Sequence, residues 1–500
     1  MSRFISTTLL VCLCFSLTAC PTTSADVLEV QAVDALGGRT GGVVYKLSIT
    51  PAKEAVPAFK YRLTVEPHKT IPGNAITHYL RSLGENSLRG LWEWARLEFG
   101  QDVHDWYSLK TPAKDIPLES LRKVSAKFEG YVENHLRRAT LCRESDWGLA
   151  MEDLRGREAL AFLLPSVQQT RSMSRILALK NRLAVIEGRY DDSVDYLRMN
   201  YQLGQNVSQM NVLVTNLVGL AEVGIANAGM LDLIAAKDSP NMYWALMELP
   251  TPIISIRNAV RLESSFGTRY FPELLDVENA KHSPGQWGEI LAEMVGSLTE
   301  VHGLTGGRSS MDGAGQAVAG LPLALALSGY SAAKQRLIEG GDDEAEVNQM
   351  SAAQVLLIDA ARDYELMANE VEKEYYVPFQ VVEKFSYRLR DRKFKGNSLR
   401  LGMILGDAIL PAVQQVRQAE VRVQTNINVL IAIEAIRHHV ATKGEFPTSL
   451  EEMDLPVRNS GFTDKPFEYR VEGRTAVLVI PKSRLSGQKQ RYEISIAPKS

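Results

Sequence analysis

Apolar residues recur at helical spacing over most of this chain, and one stretch carries them on every face. Asn206 to Ala236, NVSQMNVLVTNLVGLAEVGIANAGMLDLIAA, is free of proline. A helix of that length spans about 46 Å, and one that is apolar all round belongs inside a protein. Gly219, Gly224 and Gly229 recur every five residues. Each costs a helix interior roughly 1 kcal/mol relative to alanine. Three such costs imply closely approaching neighbours, so leucine at Gly224 is expected to overpack and unfold the body. A membrane span needs about 20 apolar residues with few charges, and Glu222 sits in the middle of this one. The stretch is therefore expected to be the core helix of a large α-helical domain.

The remaining pattern divides the chain. Alternating runs at Val43 to Ile49 and Phe59 to Val65 read as a strand pair within 43–66. Asn74 suits the N-cap of a helix beginning at Ala75, and helical spacing then continues through 73–270. Ile176, Leu179, Leu183 and Ile186 mark one amphipathic helix; Val194, Leu197 and Tyr201 mark the next, after a break at Gly188 to Asp192. Ser239-Pro240 and Thr251-Pro252 each place a capping residue before proline, which predicts two further helix starts. Residues 271–316 read as an irregular glycine-rich segment, 317–410 as a second helical segment, and 411–500 as a long helix followed by a small sheet. Within that end, Phe467 to Val471 and Thr475 to Ile480 flank Glu472-Gly473-Arg474 as a hairpin, with Arg491 to Ile496 as a third strand. An isolated hairpin is marginal in water, so a fragment starting at Pro411 is expected to fold alone and one starting at Gly444 is not. The fold class is thus mainly α: a multi-helix bundle or irregular array of helical hairpins, with a short N-terminal β pair and a small C-terminal α+β unit.

The N-terminus speaks to compartment. Residues 1–20 combine one basic residue, Arg3, an apolar run from Leu9 to Leu17, and the small residues Thr18 and Ala19 before Cys20. That is the pattern of a secretory signal. Leu-Thr-Ala-Cys also resembles the bacterial lipobox, which implies lipidation at Cys20; the alternative is cleavage after Ala25 and a soluble secreted protein. The small, glycine-rich residues 21–42 suit a flexible tether. With Cys12 and Cys14 in the signal and Cys20 acylated, only Cys142 remains, so no intramolecular disulfide is expected. Net charge is −3 with 23% charged residues, which gives no electrostatic support for a nucleic-acid partner.

Three resemblances add to this. Gly188-Arg189-Tyr190-Asp191-Asp192 between two amphipathic helices resembles the middle of a tetratricopeptide repeat, although Ser193 and Asn200 stand where that repeat prefers small alanines. The long helix, GEFPTSLEEM and FTDKPFEYRVEG together resemble the globular part of type II secretion pseudopilins over about 75 residues. The match departs at Ser460-Gly461 before Phe462 and at Asp464. The segments VPAFKYRL, PGNA, NMYWALMELP, GYSAAKQRLIEGG and FPTSLEEM resemble a family of large exported planctomycete proteins, which implies compartment and architecture but no activity.

Candidate chemistry is sparse. Ser331 to Lys334 fits the Ser-x-x-Lys pattern of penicillin-recognising enzymes, but so does Ser120 to Lys123, and no Lys-Thr-Gly accompanies them. His438 and His439 are neighbours on a helix, about 100° apart, and cannot serve one metal from one face. A lone cysteine excludes thiolate zinc sites, so neither metal nor cofactor is expected. Cys142 reads as a small buried hydrophobe, and Glu370, Glu372 and Glu374 as a solvated face. Trp92, Trp94, Trp106 and Tyr107 are a candidate interaction surface, since aromatic residues anchor interface centres, with packing beneath a neighbouring loop as the competing reading. The expected role is a lipid-anchored binding or scaffolding module of the cell envelope with a protein partner. An envelope hydrolase whose site assembles only in three dimensions, and a secretion-system accessory, are the alternatives.

Overall fold

The computed structural model describes residues 28–33, 42–84, 88–148, 165–265, 271–304, 327–382, 400–402, 411–480 and 490–497. Cys20, the signal segment and the glycine-rich run 305–316 lie outside the described residues. The fold is mainly α, in two compact units. The larger holds the described residues of 19–149, 164–256 and 416–500, and the smaller holds those of 257–415.

In the larger unit a sheet is built from both ends of the chain. The strands β1 (Leu28–Val33), β2 (Gly42–Ile49), β3 (Ile71–Asn74), β4 (Cys142–Glu144), β5 (Glu468–Glu472), β6 (Thr475–Val479) and β7 (Gln490–Ile496) form two sheets. The main one runs β1-β2-β7-β6-β5, and β3 pairs with β4 separately. All neighbours in the main sheet are antiparallel except β2 and β7, which are parallel with Leu47 opposite Ile494 and Tyr45 opposite Tyr492. The two tyrosine rings stack at 4.7 Å. Gly473 opens the two-residue turn between β5 and β6 at φ 62°, the left-handed geometry that such hairpin loops require.

The N-terminal β pair is therefore β1 with β2. The run 59–65 is not a strand, and Phe59 lies 46% exposed. Six residues of the supposed tether, Leu28–Val33, are instead the sheet's first strand. Nor is the C-terminal unit self-contained, because β7 obtains its second neighbour from β2. The expectation that a fragment from Pro411 folds alone is corrected accordingly: it would leave the β7 edge open, as would one from Gly444. Amide exchange should find the β7 amides that face β2 unprotected in both fragments, and protected once residues 28–49 are supplied. Protection in the Pro411 fragment alone would contradict this.

Helices follow their sequence signals with instructive exceptions. They are α1 (Ala75–Gly84), α2 (Leu88–Phe99), α3 (Leu118–Lys127), α4 (Pro165–Ile186), α5 (Tyr190–Ser208), α6 (Leu213–Ala235) and, in the C-terminal third, α7 (Pro411–Lys443). Asn74 caps α1, its Oδ1 accepting from the Ile76 N–H at 3.0 Å. α4, α5 and α6 pack pairwise against one another. The supposed single helix 206–236 is broken: Asn206 to Ser208 finish α5, and Asn211 adopts φ 56° before α6 begins. Asparagine is among the residue types other than glycine that most readily turn a chain through this left-handed region.

The glycines of α6 do not act alike. A Cβ on Gly219 would lie 2.4 Å from the Gly204 carbonyl oxygen of α5, and one on Gly229 would lie 2.8 Å from Asn181 Nδ2 of α4. A Cβ on Gly224 would meet nothing within 4 Å. Steps of five residues rotate about 140° around a helix, so the three glycines face different neighbours, and Gly224 is not the crowded one. α6 is also the one helix among the described residues long and apolar enough to cross a membrane, and 67% of its most apolar window is buried.

Of the two proline-marked starts, only the first yields a nearby helix, Tyr243–Met247, with Asn241 Oδ1 accepting from the Tyr243 N–H at 3.0 Å. After Pro252 the chain stays non-helical until Arg257–Ser264. Here the Ile253 and Ile256 N–H groups donate to Gln424 and Glu420 of α7 at 3.1 and 3.2 Å, so side chains take up the donors that a helix would have used.

The smaller unit contains Pro284–Leu304, Tyr330–Glu339 and Ala352–Glu374 among its helices. Residues 284–304 of the supposed irregular segment are thus helical, and Trp287 there is buried with Leu291 and Met294 in the unit's core. Ser351 caps the last of these helices through the Gln354 N–H at 3.2 Å.

Candidate functional site: a cleft over a buried charge pair

The ends of α4 and α6 enclose, with β1 and the loop before α3, a cleft of about 530 Å³, within the range of small-molecule sites. Both helices use the same spacing. Arg182 precedes Val185 and Ile186 on α4, and Asp232 precedes Ala235 on α6 and Ala236 just beyond its end; all six line the cleft. Residues three and four apart share a helix face, so each helix presents one charged group with apolar neighbours a turn further on. Leu28, Leu109 and Ala113 add apolar wall, and Lys114, Glu187 and Lys237 add charge. Gly188 turns the chain between α4 and α5 at φ 71°, and the Tyr190 hydroxyl donates to the Lys237 carbonyl oxygen.

The charge pair is deeply placed. Arg182 Nε lies 3.2 Å from Asp232 Oδ2, with side chains 3% and 9% exposed. Arg182 Nη1 donates to the Trp106 carbonyl oxygen at 3.1 Å and to that of Ser108. Arg182 Nε, for all its nearness to Asp232, makes no hydrogen bond among the described residues, and both side chains line the cleft. Burial pushes the Asp232 carboxyl above its ordinary range, opposed by the Arg182 charge. A buried guanidinium with an N–H lacking an acceptor is a ready receptor for an oxygen acceptor. Glu187 is already engaged by Arg122 Nε at 2.6 Å and Arg189 Nε at 2.9 Å. A second cavity, of about 350 Å³, lies among Leu450, Met453, Pro456, Arg458 and Pro466, and there Arg458 is committed to Thr251 Oγ1 at 2.8 Å and to the Met247 carbonyl oxygen.

The residues singled out from the sequence lie elsewhere. Trp92 and Trp106 are 7% and 3% exposed and belong to the core, where Trp92 meets Phe128 at 5.3 Å and Trp106 meets Phe99 at 6.1 Å. Trp94 and Tyr107 pack against that core half-buried, under Lys127 and Arg175 respectively. As a joint interaction surface the four are corrected to packing, because two of them have no surface to offer.

The histidine pair is likewise interior. His438 Nδ1 accepts from the Glu54 N–H at 2.9 Å, and His439 is 3% exposed. Beside them Arg437 and Glu434 form a fully buried pair at 2.9 Å, in which Arg437 also donates to the Thr50 and Ser239 carbonyl oxygens. Every charge in that knot has a partner, so it reads as a clasp of α7 onto the end of β2. Burial raises the Cys142 thiol pKa, the opposite of what a nucleophile needs. Glu374 is buried, Glu370 pairs with Lys373 and Glu372 with Arg261, so that trio is not a solvated face. In the smaller unit Asp359 and Asp363 stand one helical turn apart, but Arg336 and Arg400 each clasp one in two-point fashion, which leaves neither for acid–base work. Among the described residues no group of three or more His, Cys, Asp or Glu side chains could hold a metal ion.

Arg182 and Asp232 escaped the sequence reading as a site, though Asp232 carried a signal, a charge between Leu231 and Leu233 in an apolar helix. No protein-family model, curated protein or solved structure matches the chain.

Proposed function

We propose that this chain is an exported envelope protein, anchored through acyl chains on Cys20, whose helical body serves as a binding module. The observation that carries the binding reading is the cleft between α4 and α6, with its apolar walls and a buried guanidinium whose Nε makes no hydrogen bond among the described residues. Rigid helices place these groups, and sites built on helices hold geometry better than sites on loops. The catalytic alternatives lack such support, since the carboxylates of Asp359, Asp363 and Glu434 are held by arginines and both adjacent histidines lie in the interior.

Anchoring by a diacylglycerol cysteine supplies two acyl chains, the number that stable attachment needs. Cys20→Ser is accordingly expected to move the protein from the membrane fraction to the soluble envelope fraction. A wild-type N-terminus mapped to Asp26 would overturn the anchor. The binding reading is tested by crosslinking in intact cells followed by mass spectrometry. Recovery of the same partner or ligand with wild type, and its loss when the cleft is filled by Val185→Trp, is the supporting result. Identical recovery from both would place binding away from the cleft.

A further inference from the structure

We infer that the cleft binds a small amphiphile with a single carboxylate head and an apolar body, an inference that rests on the binding reading above and names its ligand class. Three cations, Lys114, Arg182 and Lys237, line it against two carboxylates, Glu187 and Asp232, leaving one positive charge in excess. Glu187 is already neutralised from outside the cleft by Arg122 and Arg189, and Asp232 by Arg182. An apolar ligand alone would leave the buried Arg182 Nε without an acceptor, which is costly for a charged donor. A carboxylate supplies an acceptor to the Arg182 guanidinium. Lys114 is exposed and makes no ion pair among the described residues, so it is free to add a second contact.

The head carries one charge rather than two. Asp232 shares the floor with Arg182, and a second negative charge beside it would be repelled in a site partly removed from water. A cationic head fits less well still, since it would leave Arg182 Nε without an acceptor and place like charges together. The body of the ligand rests on Leu28, Leu109, Val185, Ile186 and Ala236, and a cleft of about 530 Å³ suits a ligand of modest length.

The test uses the full-length protein and two probes of equal tail length, dodecanoate and dodecyltrimethylammonium, titrated calorimetrically below their micelle concentrations at low and moderate salt. Dodecanoate is expected to bind one to one and at least tenfold more tightly than the cation. Lys114→Glu should weaken dodecanoate at least threefold at low salt, with a smaller effect at higher salt. Ala236→Trp should abolish binding by filling the cleft. Arg182 is left unchanged, because it also holds the 106–108 loop. Should Ala236→Trp lose its fold by circular dichroism, the Lys114→Glu result decides the matter alone. Equal binding of the two probes, no binding of dodecanoate, or dodecanoate binding unaffected by Lys114→Glu would each overturn the ligand class. Those outcomes leave the binding reading standing if crosslinking still captures a cleft-dependent partner, so the two failures are distinguishable.

Discussion

Gly219→Ala is expected to destabilise the larger unit by on the order of 1–3 kcal/mol or more, whereas Gly224→Ala, five residues along the same helix, should stabilise it by up to about 1 kcal/mol. The difference lies in what the new methyl would touch. At Gly219 it would lie 2.4 Å from the Gly204 carbonyl oxygen and 3.2 Å from Ile254 Cδ1; reciprocally, a methyl on Gly204 would lie 2.8 Å from the Gly219 carbonyl oxygen. Two backbones cross there, and backbone cannot swing aside as a long side chain can. Separating α5 from α6 would also loosen their shared packing with α4, since interiors are close-packed and transmit such strain. At Gly224 the methyl enters open space and only the helix-propensity gain remains. Gly204→Ala should behave like Gly219→Ala, and the double variant should cost less than the sum, because both lose one contact. Urea midpoints of the four variants decide it. Equal midpoints for Gly219→Ala and wild type would show that the crossing is not tight.

That contrast also shows which parts of the fold were legible beforehand. Periodicity found the helices because burial selects apolar residues at helical spacing, and it found the C-terminal hairpin because Gly473 marks the turn. It could not say that the glycines face different neighbours, since contact depends on where the other helices lie. The break at Asn211 was missed for a related reason: Asn206 to Ser208 and the start of α6 are both buried, and the polar Gln209 and Asn211 between them are too brief an interruption to separate from polar positions inside a helix. Similarly, Ser193 and Asn200 looked like departures from a repeat pattern. In the fold Ser193 Oγ donates to Asn181 Oδ1 at 2.6 Å and Ser174 Oγ donates to Asn200 Oδ1 at 2.7 Å. Polar groups there are tolerated because the facing helix carries their partners. The composite sheet was the least legible element, because pairing of β2 with β7 joins residues more than 440 positions apart, and no local signal encodes such a pairing. For the cleft, the charges were visible but their convergence was not.

The pH dependence of stability should carry the signature of one buried carboxyl, Glu222, which is fully buried in α6. Burial pushes its pKa from 4.5 up to about 8, against a lowering influence from the Thr170 hydroxyl and the Arg171 charge. Geometry supports a neutral group independently. Thr170 Oγ1 lies 2.6 Å from both the Val167 carbonyl oxygen and Glu222 Oε1, and its single hydrogen can satisfy only one of them. If the hydroxyl donates to Val167, a protonated Glu222 can donate to the hydroxyl, and both short contacts become hydrogen bonds. Between about pH 4.5 and 8 the folded chain then holds a proton that the unfolded chain has released. Stability from this group is therefore fully present below pH 4.5 and is lost as pH rises through about 8, at roughly 1.4 kcal/mol per pH unit within the window. Glu222→Gln keeps the shape and can donate to Thr170 Oγ1, but it cannot ionise. Its stability should match wild type within a constant offset near pH 5 and exceed that baseline by several kcal/mol near pH 8. Asp232 and Glu434 also have raised pKa values and contribute slope to both proteins, so the decisive quantity is the difference between the two pH profiles. Amide exchange of α6 at several pH values, in wild type and variant, measures it. Parallel profiles across the window would show that Glu222 takes up no proton on folding.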